Sequence, residues 1–220
     1  MNLSTVIFDM DGLLIDSEPL WKEAAKEVFG EYGINLTDEQ YGITTGLRTK
    51  EFTEWWLSRK QVPLEEYDKC EAKILATVMD KVDKRGVVMP GVDHIFNFFK
   101  DLNFKIGIAS SSSLPLIHLV IEKLGIQKYL HTIASAGDLP YGKPHPQVYL
   151  DCAAALDTPP TKCICFEDSF NGMIAVKAAR MRCVVVPDHE HYKQERWAAA
   201  DLKLSSLQNF NQLHLNLLDN

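Results

Sequence analysis

The sequence predicts an α/β fold in which a parallel sheet is covered by helices on both faces, with a small all-helical unit inserted near its start. Three observations predict it. Short apolar runs recur at 6–9, 104–109, around Ile133, at 163–166 and at 183–186, each of strand length and bounded by polar or turn-forming residues. Amphipathic stretches separate them at 91–102, 114–124, 146–156 and 172–181, and strands that alternate with helices build parallel sheets. Only the stretch 16–86 breaks the alternation, carrying helical patterns and no strand.

Val6-Ile7-Phe8-Asp9 has no polar alternation, so it reads as a strand buried on both faces that ends at a turn around Gly12. Beyond it, Leu20, Ala24, Val28 and Tyr32 form the apolar stripe of one helix, and Tyr67, Ile74, Val78 and Val82 that of another. Thr37 followed by Gln40 is the signature of a capping box and starts a further helix between them. The chain returns to the alternating pattern near Met89-Pro90-Gly91. There, Pro115 and Pro146 suit first turns of helices and Gly125 suits a C-terminal cap. The expected domains are therefore a core of residues 1–15 and 87–220 and a helical unit of 16–86, without internal repeats or low-complexity tracts.

Composition narrows the function. With 220 residues, 46% hydrophobic and 24% charged, the chain has ample material for a core. Its formal net charge of -7 supplies no general attraction to nucleic acid or to an anionic membrane, so neither is expected as a partner. The five cysteines (Cys70, Cys152, Cys163, Cys165, Cys183) lack a Cys-x-x-Cys pair or zinc-finger spacing and read as small buried apolar residues in a reducing cytoplasm. Residues 1–5 lead straight into the first strand without the regions of a signal peptide, and no apolar run approaches the roughly 18 residues of a membrane span. A cytoplasmic monomer acting on a small molecule is the expectation.

Four polar clusters close the apolar runs. Asp9 and Asp11 lie two residues apart, a spacing that aims both carboxylates the same way at a strand end, and Gly12 lets the backbone turn closely past what they face. Taken alone, the pair is an ordinary turn signal. Ser110 opens the run Ser110-Ser111-Ser112-Ser113 before a helix, where the hydroxyls serve as N-caps or, with free helix-terminal amides, as an anion site. Lys143, in Gly142-Lys143-Pro144-His145-Pro146, is either a solvated loop charge or one held on a fixed backbone course. Glu167 and Asp168 cap the following helix or hold a cation. In a parallel sheet the strand ends share one edge, so the four clusters converge on one crevice. Their chemistry is complementary: Asp9 can attack phosphorus, Asp11 can move a proton, Asp168 can hold a hard cation, and Ser110 and Ser111 with Lys143 can hold phosphoryl oxygens.

In order and spacing, Asp9-Met10-Asp11-Gly12-Leu13-Leu14-Ile15-Asp16-Ser17, the strand end at Ser110, Gly142-Lys143-Pro144 and Glu167-Asp168-Ser169 resemble the four motifs of haloacid dehalogenase superfamily phosphatases. The resemblance spans nearly the whole chain. It implies a Rossmann-like core and identifies the helical insertion as a cap domain placed between the first two motifs. It also implies that Asp9 attacks phosphorus in line to form an aspartyl-phosphate, while Asp11 protonates the departing alkoxide and later deprotonates water. Mg²⁺ would rest on the Asp9 carboxylate, the Asp11 main-chain carbonyl and Asp168, with Glu167 behind them orienting a water or Lys143. Electrostatics agrees, since one like-charge pair at about 4 Å costs on the order of 4 kcal/mol at an effective dielectric near 20.

Within the superfamily the chain resembles bacterial sugar-phosphate phosphatases, including those acting on 2-deoxyglucose 6-phosphate and hexitol phosphates, which share the continuation Asp-Ser-Glu-Pro-Leu-Trp found at 16–21. The implied substrate is a small phosphorylated metabolite, a sugar or sugar-alcohol phosphate, whose leaving group meets Trp21, Gly46 and Arg48. Phosphomutases of the β-phosphoglucomutase type share all four motifs. Three departures count against that reading: Trp21 replaces a His of the mutase pattern, Thr49 its cap Arg, with Arg48 one position away, and Ser113 its Lys. A phosphonate hydrolase needs a cap Lys for a Schiff base, a role for which Lys50 has nothing else to recommend it, and a dehalogenase needs neither Asp11 nor a metal. A catalytically idle binding protein on the same fold would be marked by loss of Asp9 or Lys143, and both are present. Asp188-His189-Glu190-His191 has metal-ligand residue types but reads as a solvated loop, and Trp55-Trp56 as helix packing.

Overall fold

The computed structural model describes residues 2–219. From the N-terminus, β1 (Thr5–Phe8) is buried at every position and leads to the two-residue β2 (Ile15–Asp16). Four helices follow: α1 (Glu18–Glu31), α2 (Asp38–Ile43), α3 (Thr49–Arg59) and α4 (Tyr67–Arg85). After β3 (Val87–Val88) the alternation begins with α5 (Val92–Asp101), β4 (Lys105–Ser110), α6 (Leu114–Leu124) and β5 (Thr132–Ser135). It continues with α7 (Gln147–Ala155), β6 (Cys163–Glu167), α8 (Phe170–Ala178), β7 (Arg182–Val185), β8 (Leu202–Lys203) and α9 (Gln212–Asp219).

Six strands form one parallel sheet in the order β5-β4-β1-β6-β7-β8. β1 is central because its run tolerates cover on both faces. Val6 and Phe8 pack with α5, α6 and α9 on one side, while Ile7 packs with α7 and α8 on the other. Counted along the chain, the six strands lie in the order 3-2-1-4-5-6, so the direction of winding reverses at β1 and opens a crevice beyond its carboxyl end. The five cysteines are buried and unpaired, and no helix among the described residues is long and apolar enough to cross a membrane.

The helical insertion forms as its stripes predict. Leu20, Ala24 and Val28 of α1 and Ile74, Val78 and Val82 of α4 are buried, and Thr37 and Gln40 complete their reciprocal capping box. One expectation is corrected here: Asp16, placed in a segment without strands, pairs with Val87 in the antiparallel β2–β3 ribbon. The chain thus leaves and re-enters the core side by side. Two-residue strands carry no periodicity, which is why β2, β3 and β8 leave no trace in the sequence pattern.

Candidate active site

β1 ends at Phe8, but the ladder runs one residue further, since the Asp9 amide donates to the Phe166 carbonyl at 3.0 Å. The chain then turns at Gly12, with φ of +74°, and Asp11 lies in the turn rather than on the strand. Asp9 and Asp11 line the same cavity, though by the turn and not by strand period. Only glycine fits at position 12, because a Cβ there would lie 2.1 Å from Asp168 Oδ2.

Lys143 is almost fully buried. Its ammonium donates to Asp9 Oδ1 at 2.6 Å, Glu167 Oε1 at 2.7 Å and the Ala109 carbonyl at 3.1 Å. The two carboxylates outweigh the burial and hold the lysine above its ordinary range, so it stays charged. Asp9 is pushed up to about 8, chiefly by burial, with Lys143 opposing and Glu167 adding to the rise. Both Glu167 oxygens are occupied. Oε1 accepts from Lys143 and from the Tyr149 hydroxyl at 2.5 Å, and Oε2 accepts from the Asp168 and Ser169 amides and the Ser169 hydroxyl, each at 3.1 Å. Neither Glu167 nor Asp168 caps α8: Ser169 does.

The four serines separate by role. Ser110, Ser111 and Ser112 line the cavity, whereas Ser113 is the N-cap of α6 and makes no side-chain capping bond. Ser110 Oγ accepts from the Ser112 amide, Ser111 donates to the Gly46 carbonyl at 3.0 Å, and Ser112 donates to Asp11 Oδ2 at 2.7 Å. Asp11 Oδ1 accepts from Ser17 at 2.7 Å and from the Trp21 indole at 3.0 Å. Ser112, Ser17 and Tyr149 were not singled out in the sequence. Ser17 closes the first motif and Ser112 is one of four indistinguishable hydroxyls, whereas Tyr149 carries no local signal.

The insertion covers this cavity with Trp21, Tyr41, Leu47 and Phe52, and with the polar groups of Thr44, Thr45 and Gly46. Trp21 therefore meets the cavity and also holds Asp11. Arg48 departs from its expected place: it does not line the cavity, and its guanidinium is directed to the core loop at 136–140. Trp56 is buried and donates to Thr44, and Trp55 stacks under Arg59, so both pack. Asp188 is exposed and bonded to His191 at 2.5 Å, and the 188–191 stretch contributes no cluster of three ligand groups among the described residues.

Glu18 is one of four acids in the cavity lining, with Asp9, Asp11 and Asp168, and its sequence context assigns it no role. No hydrogen bond to its carboxyl is present among the described residues, and burial, followed by Asp11, Asp188 and Asp16, pushes it up to about 7 from an ordinary value of 4.5. Below about pH 4.5 folded and unfolded chains both hold this proton; as pH rises from there to 7 only the folded chain does, so stability is lost. Glu18→Gln should therefore be close to neutral at pH 4.5 and stabilising by about 1–3 kcal/mol at pH 8. Urea unfolding in chelator at the two pH values measures it, and an equal effect at both would refute the assignment.

Oxygens of Asp9, Glu167 and Asp168 approach within 4.8 Å of one another. Since Glu167 is saturated, Asp9 and Asp168 are the free donors. Burial and the charges of Asp9, Glu167 and Glu18 push Asp168 well above the usual carboxylate range, the mark of acids lacking a counter-charge. Hard oxygen donors of this kind fit Mg²⁺.

Comparison with known proteins agrees with this arrangement. The family model of haloacid dehalogenase-like hydrolases matches residues 6–186. The chain is 41% identical over 202 residues to hexitol phosphatase B of Escherichia coli (strain K12), covering 91% of each protein. It is 29% identical over 190 residues to a fructose-1-phosphate phosphatase of the same organism, covering 82% of this chain and 95% of that one. Among solved structures, β-phosphoglucomutase from Clostridium difficile superposes with a TM-score of 0.88 at 25% identity, covering 99% of this chain and 97% of that one. With three strand-end clusters and the Lys143 loop before α7 meeting in one crevice, the chain belongs to the haloacid dehalogenase-like hydrolases and is a phosphoric monoester hydrolase.

Proposed function

We propose that this protein is a Mg²⁺-dependent phosphatase of a sugar or sugar-alcohol phosphate, working through an aspartyl-phosphate on Asp9. The observation that carries the reading is the convergence of Asp9, Asp11, Ser110, Lys143 and Asp168 on one cavity under the helical insertion, which acts as the cap. Asp9 Oδ1 is held by Lys143, which leaves Oδ2 to attack phosphorus in line. Lys143, Ser110 and Ser111 supply positive charge and donors for the phosphoryl oxygens. Bound at Asp9 and Asp168 with the Asp11 main-chain carbonyl, Mg²⁺ would neutralise the charge that accumulates among carboxylates and phosphate, and would keep Asp9 ionised.

Asp11 is built to carry a proton. The Ser112 hydroxyl on Oδ2 can donate to the carboxylate or accept from its acid form, while Ser17 donates to Oδ1 in either state, so both protonation states are accommodated. The Trp21 indole is a donor only, which keeps Oδ1 an acceptor and places the mobile proton on Oδ2. From Oδ2 it passes to the departing alkoxide, and Oδ2 then accepts the proton of the hydrolytic water.

Phosphatase is favoured over mutase by the cavity lining, in which Lys143 is the single Lys or Arg among the described residues. A mutase must hold a second phosphoryl group, for which the cap offers no cation here. The hydroxyl-rich lining and Glu18 suit a polyol leaving group, the class named for hexitol phosphatase B. Hydrolysis of p-nitrophenyl phosphate should stop on chelation with EDTA and return with Mg²⁺. Undiminished turnover in excess EDTA would overturn the metal assignment. A kcat/KM ranking of phosphorylated polyols and sugars tests the substrate class.

A further inference from the structure

Arg48 is buried, yet it faces neither the cavity nor solvent. Its guanidinium pairs with Glu51 Oε1 at 2.7 Å and donates to the carbonyls of Ala136, at 3.3 Å, of Leu139, and of Pro140, at 3.4 Å. Glu51 Oε1 also accepts from the Gly142 amide at 3.1 Å. A cap ion pair thus clamps the core loop from 136 to 142 from both sides, and the next residue is Lys143. A Cβ on Gly142 would lie 2.5 Å from Glu51 Oε2 and 2.8 Å from Arg48 Nε, so glycine is required there while the pair is in place. None of the three residues lines the cavity.

Burying an ion pair is expensive unless its remaining donors and acceptors are used, and here, Arg48 Nε apart, the guanidinium donors and Glu51 Oε1 are used on the backbone of one loop. A contact serving only cap adhesion needs no particular partner. This one is made to the residue whose successor supplies the ammonium between Asp9 and Glu167. We propose that Glu51, oriented by Arg48, is a positioning residue for Lys143: seating the cap fixes the 136–142 loop and thereby the placement of the lysine. The inference rests on the reading of Lys143 as the group that holds the phosphoryl oxygens.

The test compares wild type, Glu51→Ala, Glu51→Gln, Gly142→Ala and the double variant Glu51→Ala with Gly142→Ala. Turnover of p-nitrophenyl phosphate with Mg²⁺ and amide hydrogen exchange across 136–146 are measured for each. This substrate has a small leaving group, so a contact acting through cap adhesion or leaving-group recognition should leave its kcat alone. Misplacement of Lys143 should instead lower kcat about 10- to 100-fold with KM within about 3-fold. Exchange at Gly142 should quicken in Glu51→Ala. Glu51→Gln, which keeps an acceptor oxygen, should recover most of kcat, and Gly142→Ala should cause a smaller loss in the Glu51→Ala background than in wild type, because the closest of its clashes has been removed and only those with Arg48 remain.

An unchanged kcat for Glu51→Ala, or a loss confined to KM for sugar phosphates, would overturn the proposal. If Glu51→Ala does not fold, Glu51→Gln and Gly142→Ala carry the test: unchanged exchange and kcat in both would equally overturn it. Failure of the wild type to turn over the aryl phosphate would sink the proposed function instead, while the exchange measurement would still read the clamp.

Discussion

Lys143→Met should lower turnover by three orders of magnitude or more and destabilise the protein by about 3–5 kcal/mol. The size of both effects follows from where the ammonium lies. It is the cation between Asp9 and Glu167, at 2.6 and 2.7 Å, in a site closed to solvent. Methionine fills the volume but leaves two carboxylates in contact with nothing to separate their charge. They can escape only by holding protons, so the destabilisation should be small near pH 5 and grow toward pH 8, as the unfolded chain releases protons that the folded one must keep. Denaturant titrations across that range in chelator read the stability, and p-nitrophenyl phosphate assays read the activity. A loss of activity without the pH-dependent loss of stability would mean that Glu167, with its four other donors, keeps its charge without Lys143.

Asp11→Asn and Asp9→Asn should fail in different ways. Asp9→Asn removes the attacking oxygen, so no phosphoenzyme forms with any substrate. Asp11→Asn is sterically mild, because the amide oxygen can still accept from Ser17 and Trp21 while the Ser112 hydroxyl rotates to accept from the amide nitrogen. With p-nitrophenyl phosphate, whose leaving phenolate needs little protonation, Asp9 should still be phosphorylated and the following hydrolysis should slow by about 10²- to 10⁴-fold for want of a base. Rapid quench should show a burst of p-nitrophenol near one equivalent per site, then a slow steady state. An alkyl sugar phosphate needs the acid from the first step and should give no burst. A burst from Asp9→Asn and none from Asp11→Asn would reverse the two roles.

The candidate site was legible in outline because strands report their own burial. Val6-Ile7-Phe8, Cys163-Ile164-Cys165-Phe166 and the other apolar runs announce a sheet covered on both faces, and a parallel sheet gathers its strand ends on one edge. The sequence pattern alone therefore assigns Asp9, Ser110, Lys143 and Asp168 to one crevice. The capping box at Thr37 and the stripe from Leu20 to Val28 are equally local, and both formed as read.

What the tertiary structure alone decided concerns partners distant along the chain. Ser112 was chosen from four serines by its bond to Asp11, 101 residues away. Arg48 was drawn from the cavity by carbonyls 88 to 92 residues further on. Glu18 became a perturbed acid only when the fold buried it and brought Asp188, far along the chain, beside it with its neighbour Asp11. Periodicity encodes which face of an element leaves water, a property of neighbours three, four or two residues apart. The direction of a polar side chain depends on which donor or acceptor the fold brings within about 3 Å, and no local pattern in the sequence records that distance.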